Sequence, residues 1–512
     1  MKRGIDMEDM SISKRNTLIT QIKNGETERI DKGTEYDVPD YIGDISKVLF
    51  YNSSLNITNE YKSDGLCKFE GDVVFSVMLQ SEDESINCVN IVNGFSGEIG
   101  FENSADVKLD YVIENDSVKA VNKRKLSCKC TVAVHSALHN TINSEIDVKN
   151  NTEDASLQVL SGDIKTLKEH FGVEDEIECR YNIELDSNYP EIGRIIFCDV
   201  KPCVTDIRAG VDSVNIRGVN NITVLFSDVN GEIYSYRKKD ELNETVNCIG
   251  CASDMGCRCN VHVKEIDAIS QTNSFGEEKN IELVYKSQIS AVAAENIYAN
   301  ACSDAFSPKY DISIEKDNIN SSVYSDMLFG NFTFSQSKPY GGENAECEAV
   351  YYESKAKITS FGQNDNKKVI IEGLAIFNVL LKSNGRIEAQ REEFPFKYET
   401  NIESDKELEP FVSVGVICEN VRFDNDKISY EAEISINGYF TETENHEIVK
   451  TVNFNEEKTR NNDYLTLYYP DGESLWDIAK ANGVASEKIL IANDCDEKTL
   501  IERNVIIIPS NF

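Results

Sequence analysis

The residue types in this chain best suited to chemistry are thiols and imidazoles. Cys248-Ile-Gly-Cys251 is followed by Cys257-Arg-Cys259, which brings two close thiol pairs together. Four thiolates make a tetrahedral zinc donor set, and Cys-x-x-Cys spacing suits one. The second pair is Cys-x-Cys, a less usual spacing, and the cluster sits in a repeat whose other copies lack it. Cys248, Cys251, Cys257 and Cys259 are therefore read as buried thiols, or thiols oxidised late, with zinc as the alternative. Cys128 and Cys130 are read as pointing to opposite faces of an alternating strand, which would exclude a shared metal. The five histidines are His135, His139, His170, His262 and His446. His135 and His139 follow a strand with no acidic partner in the local pattern, so they are read as surface or structural groups. Gly-x-Ser-x-Gly, His-Glu-x-x-His and P-loop patterns do not occur. Carboxylates are too numerous for any pair to stand out. The chain is read as a non-enzyme without a cofactor.

The composition bounds the setting of these residues. The chain has 512 residues, enough for about three to five domains. Lys and Arg number 52 against 89 Asp and Glu, a net charge of −37. Such a chain repels phosphate backbones and anionic lipid surfaces, which argues against nucleic acid as a partner. A basic protein or a neutral sugar is compatible with it. Hydrophobic residues at 40% suffice for several cores and exclude a disordered chain, a collagen and a coiled coil. Met1–Met10 is charged and lacks the apolar core of a secretory signal. No apolar run reaches membrane-helix length. The expectation is a product that stays in the cytoplasm of its cell, with its 15 cysteines mostly reduced and buried.

A threefold internal repeat organises most of the chain. Its anchors are Gly71, Gly218 and Gly373, spaced 147 and 155 residues apart. Phe69, Ile216 and Ile371 precede them by two positions, and Val77, Val224 and Val379 follow. Turns come next: Glu82-Asp83-Glu84 in the first copy, Asn230-Gly231 and Asn384-Gly385 in the others. Asn-Gly favours a tight hairpin because both residues tolerate positive φ. A later block alternates apolar and polar residues in all copies: Leu126 to Val134, Ile281 to Tyr285, and Ile428 to Ile436. The second copy has a loop-like insertion near Thr272–Glu278. An earlier block leads to Phe50 in copy one and Phe197 in copy two, with Cys347–Tyr352 as its counterpart in copy three. Each copy is read as an antiparallel, sandwich-like β unit. Asp163–His170 is read as a short linker helix. The expected divisions are 1–148, 149–302 and 303–455 for the repeats, then 463–512 for a different C-terminal module.

That module reads β-α-α-β. Leu465–Pro470 is a short strand, and Ser474 is an N-cap with Asp477 three residues on. Gly483 ends the first helix, Ser486–Asn493 is the second, and Thr499-Leu500 with Val505–Pro509 is assigned to the returning strand. The module holds four Lys or Arg against nine Asp or Glu from Asp463 onward. Trp476, the one tryptophan, is read as packing helix one rather than stacking on a ligand.

The three β repeats, from Ile30 to Val452, resemble SPOCS domains of spore-associated proteins in endospore-forming Firmicutes. Gly472 through Ala479, Gly483-Val484 and Asn493 are similar to the pattern of a LysM domain. This copy departs from the LysM pattern at Glu502-Arg503-Asn504, where Pro-Gly-Gln is usual. The LysM resemblance implies binding of N-acetylglucosamine polymers such as peptidoglycan in a groove between two loops. Carried over, the groove residues are Asp471, Gly472, Glu473, Ser474, Leu475, Asn493, Asp494, Leu500, Ile501 and Glu502. A single LysM copy binds glycan weakly, since strong binding comes from several copies together. The combination resembles a spore-coat morphogenetic family. It implies a noncatalytic scaffold in the mother-cell cytoplasm at the forespore surface, whose partner is a coat morphogenetic ATPase or another coat protein. Peptidoglycan at cortex or cell wall is the alternative partner.

Overall fold

The computed structural model describes residues 17–102, 105–150, 156–340, 347–383, 385–424, 427–458 and 465–509. Met1–Met10 and Asn384 lie outside them. The alternating stretches become long antiparallel strands. The first repeat contains β1 (Leu18–Asp37), β2 (Ile45–Ser63), β3 (Leu66–Ser81), β4 (Ile86–Gly100), β5 (Ala105–Asn122) and β6 (Lys125–Asn143). A three-residue strand, β7 (Asp147–Lys149), follows. The second repeat contains β8 (Gln158–Glu184), β9 (Arg194–Gly210), β10 (Ser213–Ser227), β11 (Ile233–Asn247), β12 (Gly256–Thr272) and β13 (Glu278–Phe306). The third contains β14 (Tyr310–Pro339), β15 (Cys347–Gln363), β16 (Lys368–Ser383), β17 (Arg386–Glu403), β18 (Leu408–Asp424) and β19 (Lys427–Glu457). No helix among the described residues is long and apolar enough to cross a membrane.

Every repeat has the same topology. Its second, third and fourth strands form a meander, and its first, sixth and fifth are neighbours in that order in a second sheet, which β7 joins in the third repeat. In the first repeat the two sheets enclose one core, with Phe75, Val77 and Leu79 of β3 against Leu126, Cys128 and Val132 of β6. The third repeat matches it with Phe377, Val379 and Leu381 against Tyr430, Ala432 and Ile434. The anchor glycines lie at the middle of each meander. Each sits beside a bulge in the neighbouring strand, at Ile57/Asn59, Val204/Asp206 and Ile358/Ser360. A β-carbon on Gly71, Gly218 or Gly373 would lie 2.8, 2.1 or 2.5 Å from the carbonyl oxygen of Asn56, Cys203 or Lys357. The bulge pushes backbone into space a side chain would need, so the repeat keeps glycine there.

The repeats close on one another about an approximate threefold axis. Phe50, Phe197 and Tyr351 occupy equivalent positions, opposite Met78, Leu225 and Leu380 on the central strands. Their rings meet pairwise at 5.4–6.1 Å between centroids. Ile86, Ile233 and Ile387, again equivalent, pack into the same cluster. Each buried side chain of this size contributes about 1.5–3 kcal/mol. Farther along, Ile19, Ile164 and Ile319 of the three first strands pack together. This explains the length of β8, 27 residues. One end places Ile183 in its own sandwich, while the other places Ile164 among the neighbours. β7 pairs in parallel with Thr451–Asn453 of β19, so the connection after the first repeat lies against the third.

Four local expectations are corrected. Asp163–His170 is strand, not helix, because β8 pairs with β13 throughout it. Cys128 and Cys130 share one face of β6 and both lie in the core, since strand side chains repeat every two residues. His135 and His139 lie inside β6 rather than after it, and His139 Nδ1 meets Glu169 Oε2 of the second repeat at 3.3 Å. At Asn230-Gly231 only the glycine has positive φ, +87°. Asp228 instead organises a longer turn, its carboxylate accepting from the Asn230 and Glu232 amides at 2.8 and 2.9 Å. In the third copy Ser383 pairs with Arg386, and Gly385 has positive φ, +76°.

Candidate functional site

The C-terminal unit comprises β20 (Thr466–Tyr468), α1 (Leu475–Asn482), α2 (Ser486–Asn493), α3 (Glu497–Ile501) and β21 (Ile506–Ile508). Ser474 caps α1 by accepting from the Asp477 amide at 3.1 Å, and Gly483 ends it at φ 62°. A third helix stands where strand was expected. Asp496 caps it by accepting from the Thr499 amide at 2.8 Å, so Thr499 and Leu500 are helical and the returning strand starts later. Leu475, Ile478, Ile489, Leu500, Ile506 and Ile508 form the core.

The ten residues expected to line a groove divide by exposure. Leu475 and Leu500 are buried in that core. Asn493 is a clamp: its side-chain amide donates to the carbonyls of Ile489 and Ile507 at 2.8 and 2.7 Å, and its oxygen accepts from the Ile507 amide at 2.8 Å. Glu473 is half-buried and accepts from the Tyr468 hydroxyl at 2.5 Å. Asp471, Gly472 and Ser474 stand exposed before α1, Asp494 after α2, and Ile501 and Glu502 at the end of α3. The unit is latched to the body through Trp476. Its ring meets Phe306 of β13 edge-on at 5.0 Å, and its Nε1 donates to Asp304 Oδ2 at 2.9 Å. Lys480, one helical turn on, reaches the same carboxylate at 2.6 Å. Trp476 therefore packs α1 against another part of the chain.

A second feature lies on the approximate threefold axis, beside the aromatic triad. A chamber of about 650 Å³ opens between the three meanders and strands β12 and β18, lined by residues including Asn52, Ser54, Asp199, Lys201, Lys355 and Glu419. Lys201 donates to Glu353 of the next repeat, and Lys355 donates to Asn52 Oδ1 of the one after. Burial pushes the Glu353 carboxyl up, but Lys201, Lys355 and a 2.7 Å hydrogen bond from Asn378 more than offset this and hold it at about 2. Burial lowers Lys355. Arg237 pairs with Glu419 at 3.2 Å and stacks on Tyr352.

The family model described as "SipL, SPOCS domain" matches residues 191–270, which include β9, β10, β11 and most of β12. The match thus identifies a SPOCS domain, similar to that of SipL, over these residues of the second repeat. No curated protein and no solved structure matches it.

The cysteine cluster lies inside this SPOCS domain. Cys248, Cys251, Cys257 and Cys259 are buried in the apolar core with Ile216, Val246 and Ile289. Burial pushes the thiols up, Cys248 to about 11 and Cys257 and Cys259 to about 12. A thiol so placed is protonated at neutral pH. Among the described residues no group of three or more His, Cys, Asp or Glu side chains is disposed to hold a metal ion. His262, also in the SPOCS domain, lines the chamber, where burial and then Lys264 lower its pKa. Sequence reasoning missed the chamber. Its signal was Asp199-x-Lys201 and Glu353-x-Lys355 at equivalent places after an aromatic, with Asn52-x-Ser54 in the first copy.

Proposed function

We propose that the chain is a noncatalytic scaffold of spore-coat assembly, acting in the mother-cell cytoplasm at the forespore surface. In this reading the C-terminal unit is a LysM-type module whose exposed surface binds a coat morphogenetic protein, an ATPase of the basement layer or another coat component. The observation that carries the reading is the SPOCS match inside a body of three interlocked repeats. The Trp476 latch adds to it by holding one small module in fixed orientation on that body. Ile491 and Ile501, 71% and 41% exposed, supply apolar contact on the module, and its acidic balance suits a basic protein surface. A fluorescent fusion of the full chain, followed through sporulation, tests this. A ring around the forespore that is lost in Ile491→Lys/Ile501→Lys is expected. Diffuse wild-type signal at every stage refutes it. Peptidoglycan binding is the second reading, favoured by the Gly472–Ala479 pattern, and retention of the full chain on insoluble peptidoglycan would support it instead.

A further inference from the structure

The contacts that join the three repeats around the axis form rings, and one ring lacks a link. At the hairpin end the ring is complete. Arg194 of the second repeat donates to Asn87 Oδ1 and the Ile86 carbonyl of the first at 2.7 and 2.6 Å. Lys47 of the first donates to the Ile387 carbonyl of the third at 2.6 Å, and Lys382 of the third pairs with Glu232 of the second. The inner ring uses Asn52, Asp199 and Glu353 as acceptors, opposite Ser76, Thr223 and Asn378 on the central strands. Its donor positions are Ser54, Lys201 and Lys355, two residues on and on the same face. Lys201 serves Glu353, and Lys355 serves Asn52. The third link would run from residue 54 to Asp199, and there the chain has serine.

Asp199 bears the consequence. Its Oδ2 is buried without a hydrogen-bond partner. The nearest cation, Lys201, lies 3.5 Å away and is already bonded to Glu353. An unmatched buried carboxylate oxygen is costly, and a cation in the gap would relieve it. The gap coincides with the chamber, whose lining brings Asn52, Ser54, Val74 and Asp199 together with Lys201 and Lys355. Its volume of about 650 Å³ is within the range of small-molecule sites.

We propose that this axial chamber binds a small organic amine, a primary ammonium on a short aliphatic chain, with the ammonium standing where a third lysine would stand between Ser54 and Asp199. The ammonium donates to the Asp199 carboxylate and to the Ser54 hydroxyl oxygen, while the chain lies along Val74. The reading is independent of the coat-scaffold proposal, since it concerns the body rather than the C-terminal module.

Calorimetric titration of the full chain with n-butylamine, in about 0.15 M KCl to screen the acidic surface, tests it. Saturable binding of one n-butylamine per chain is expected, with n-butanol giving none. Asp199→Asn should weaken it at least about tenfold, because a charged hydrogen bond is lost. Ser54→Lys places a tethered ammonium in the gap, so it should abolish n-butylamine binding while raising the melting temperature of the free protein. This second variant decides the matter should Asp199→Asn fold poorly. Absence of saturable wild-type binding overturns the proposal, as does wild-type affinity in either folded variant.

Discussion

Glu353→Gln is the sharpest probe of how the repeats are joined. Glu353 is 3% exposed and receives Lys201 and Asn378. Its carboxyl falls from 4.5 to about 2 on folding. At about 1.4 kcal/mol per unit this corresponds to about 3 kcal/mol of stability. Removing one partner of a buried pair costs about 3–5 kcal/mol by an independent route, so the two figures agree. A depressed carboxyl stabilises above its unfolded value, and the contribution fades as pH falls through the folded one. The full effect is therefore present above 4.5 and gone below about 2. Glu353→Gln should destabilise the chain by about 3 kcal/mol at neutral pH, and the difference should fall to about half at pH 3. Urea unfolding of both proteins by circular dichroism at several pH values measures this. A neutral-pH difference below about 1 kcal/mol, or one that persists undiminished at pH 3, would refute the inter-repeat pairing as the source of this stability.

Other parts of the structure yield further expectations. Trp476 is the only tryptophan, so its emission reports the latch. Asp304→Ala should shift that emission to longer wavelength and make the C-terminal unit releasable by limited proteolysis; unchanged emission would argue against the latch. Burial works against ionisation of Asp304, but Lys480 and Trp476 hold its carboxyl below the usual range, so wild-type emission should stay constant as pH falls to 4. Gly218→Ala should cost about 1–3 kcal/mol or more by driving a methyl into the Cys203 carbonyl, whereas Gly100→Ala, with open space around it, should stay within about 0.5 kcal/mol. Thermal melts that rank the two equally would contradict the bulge explanation. Cys257 and Cys259, pushed up to about 12 by burial, should resist a thiol reagent at pH 8 until the chain unfolds, and rapid labelling of the native protein would contradict their placement.

Much of the local structure is legible because its causes are local. Alternation over Leu126–Val134 and Ile428–Ile436 reflects the two-residue period of a strand. Ser474 and Gly483 mark helix ends because capping depends on nearby backbone groups. The misreadings have equally physical sources. Asp163–His170 carries an apolar spacing that suits a helix, but its partner in β13 lies more than a hundred residues on. Thr499-Leu500 looked like strand because Asp496 was not recognised as a cap. The expected groove included Leu475, Asn493 and Leu500, whose side chains hold the unit together.

The amino-acid order by itself determined that the chain is mainly β, that it contains three copies of one unit, and that a different small module follows. Those properties follow from short-range periodicity and from glycines that only a bulged strand requires. Only the tertiary structure decided that the copies close around an axis, because the residues that meet there are about 150 positions apart and belong to different sheets. Met78, Leu225 and Leu380 read as ordinary strand residues until three meanders face one another. Which lysine bonds which acceptor, and which carboxylate oxygen is left without a hydrogen bond, depends on the cyclic order of the repeats, and no local pattern encodes that order.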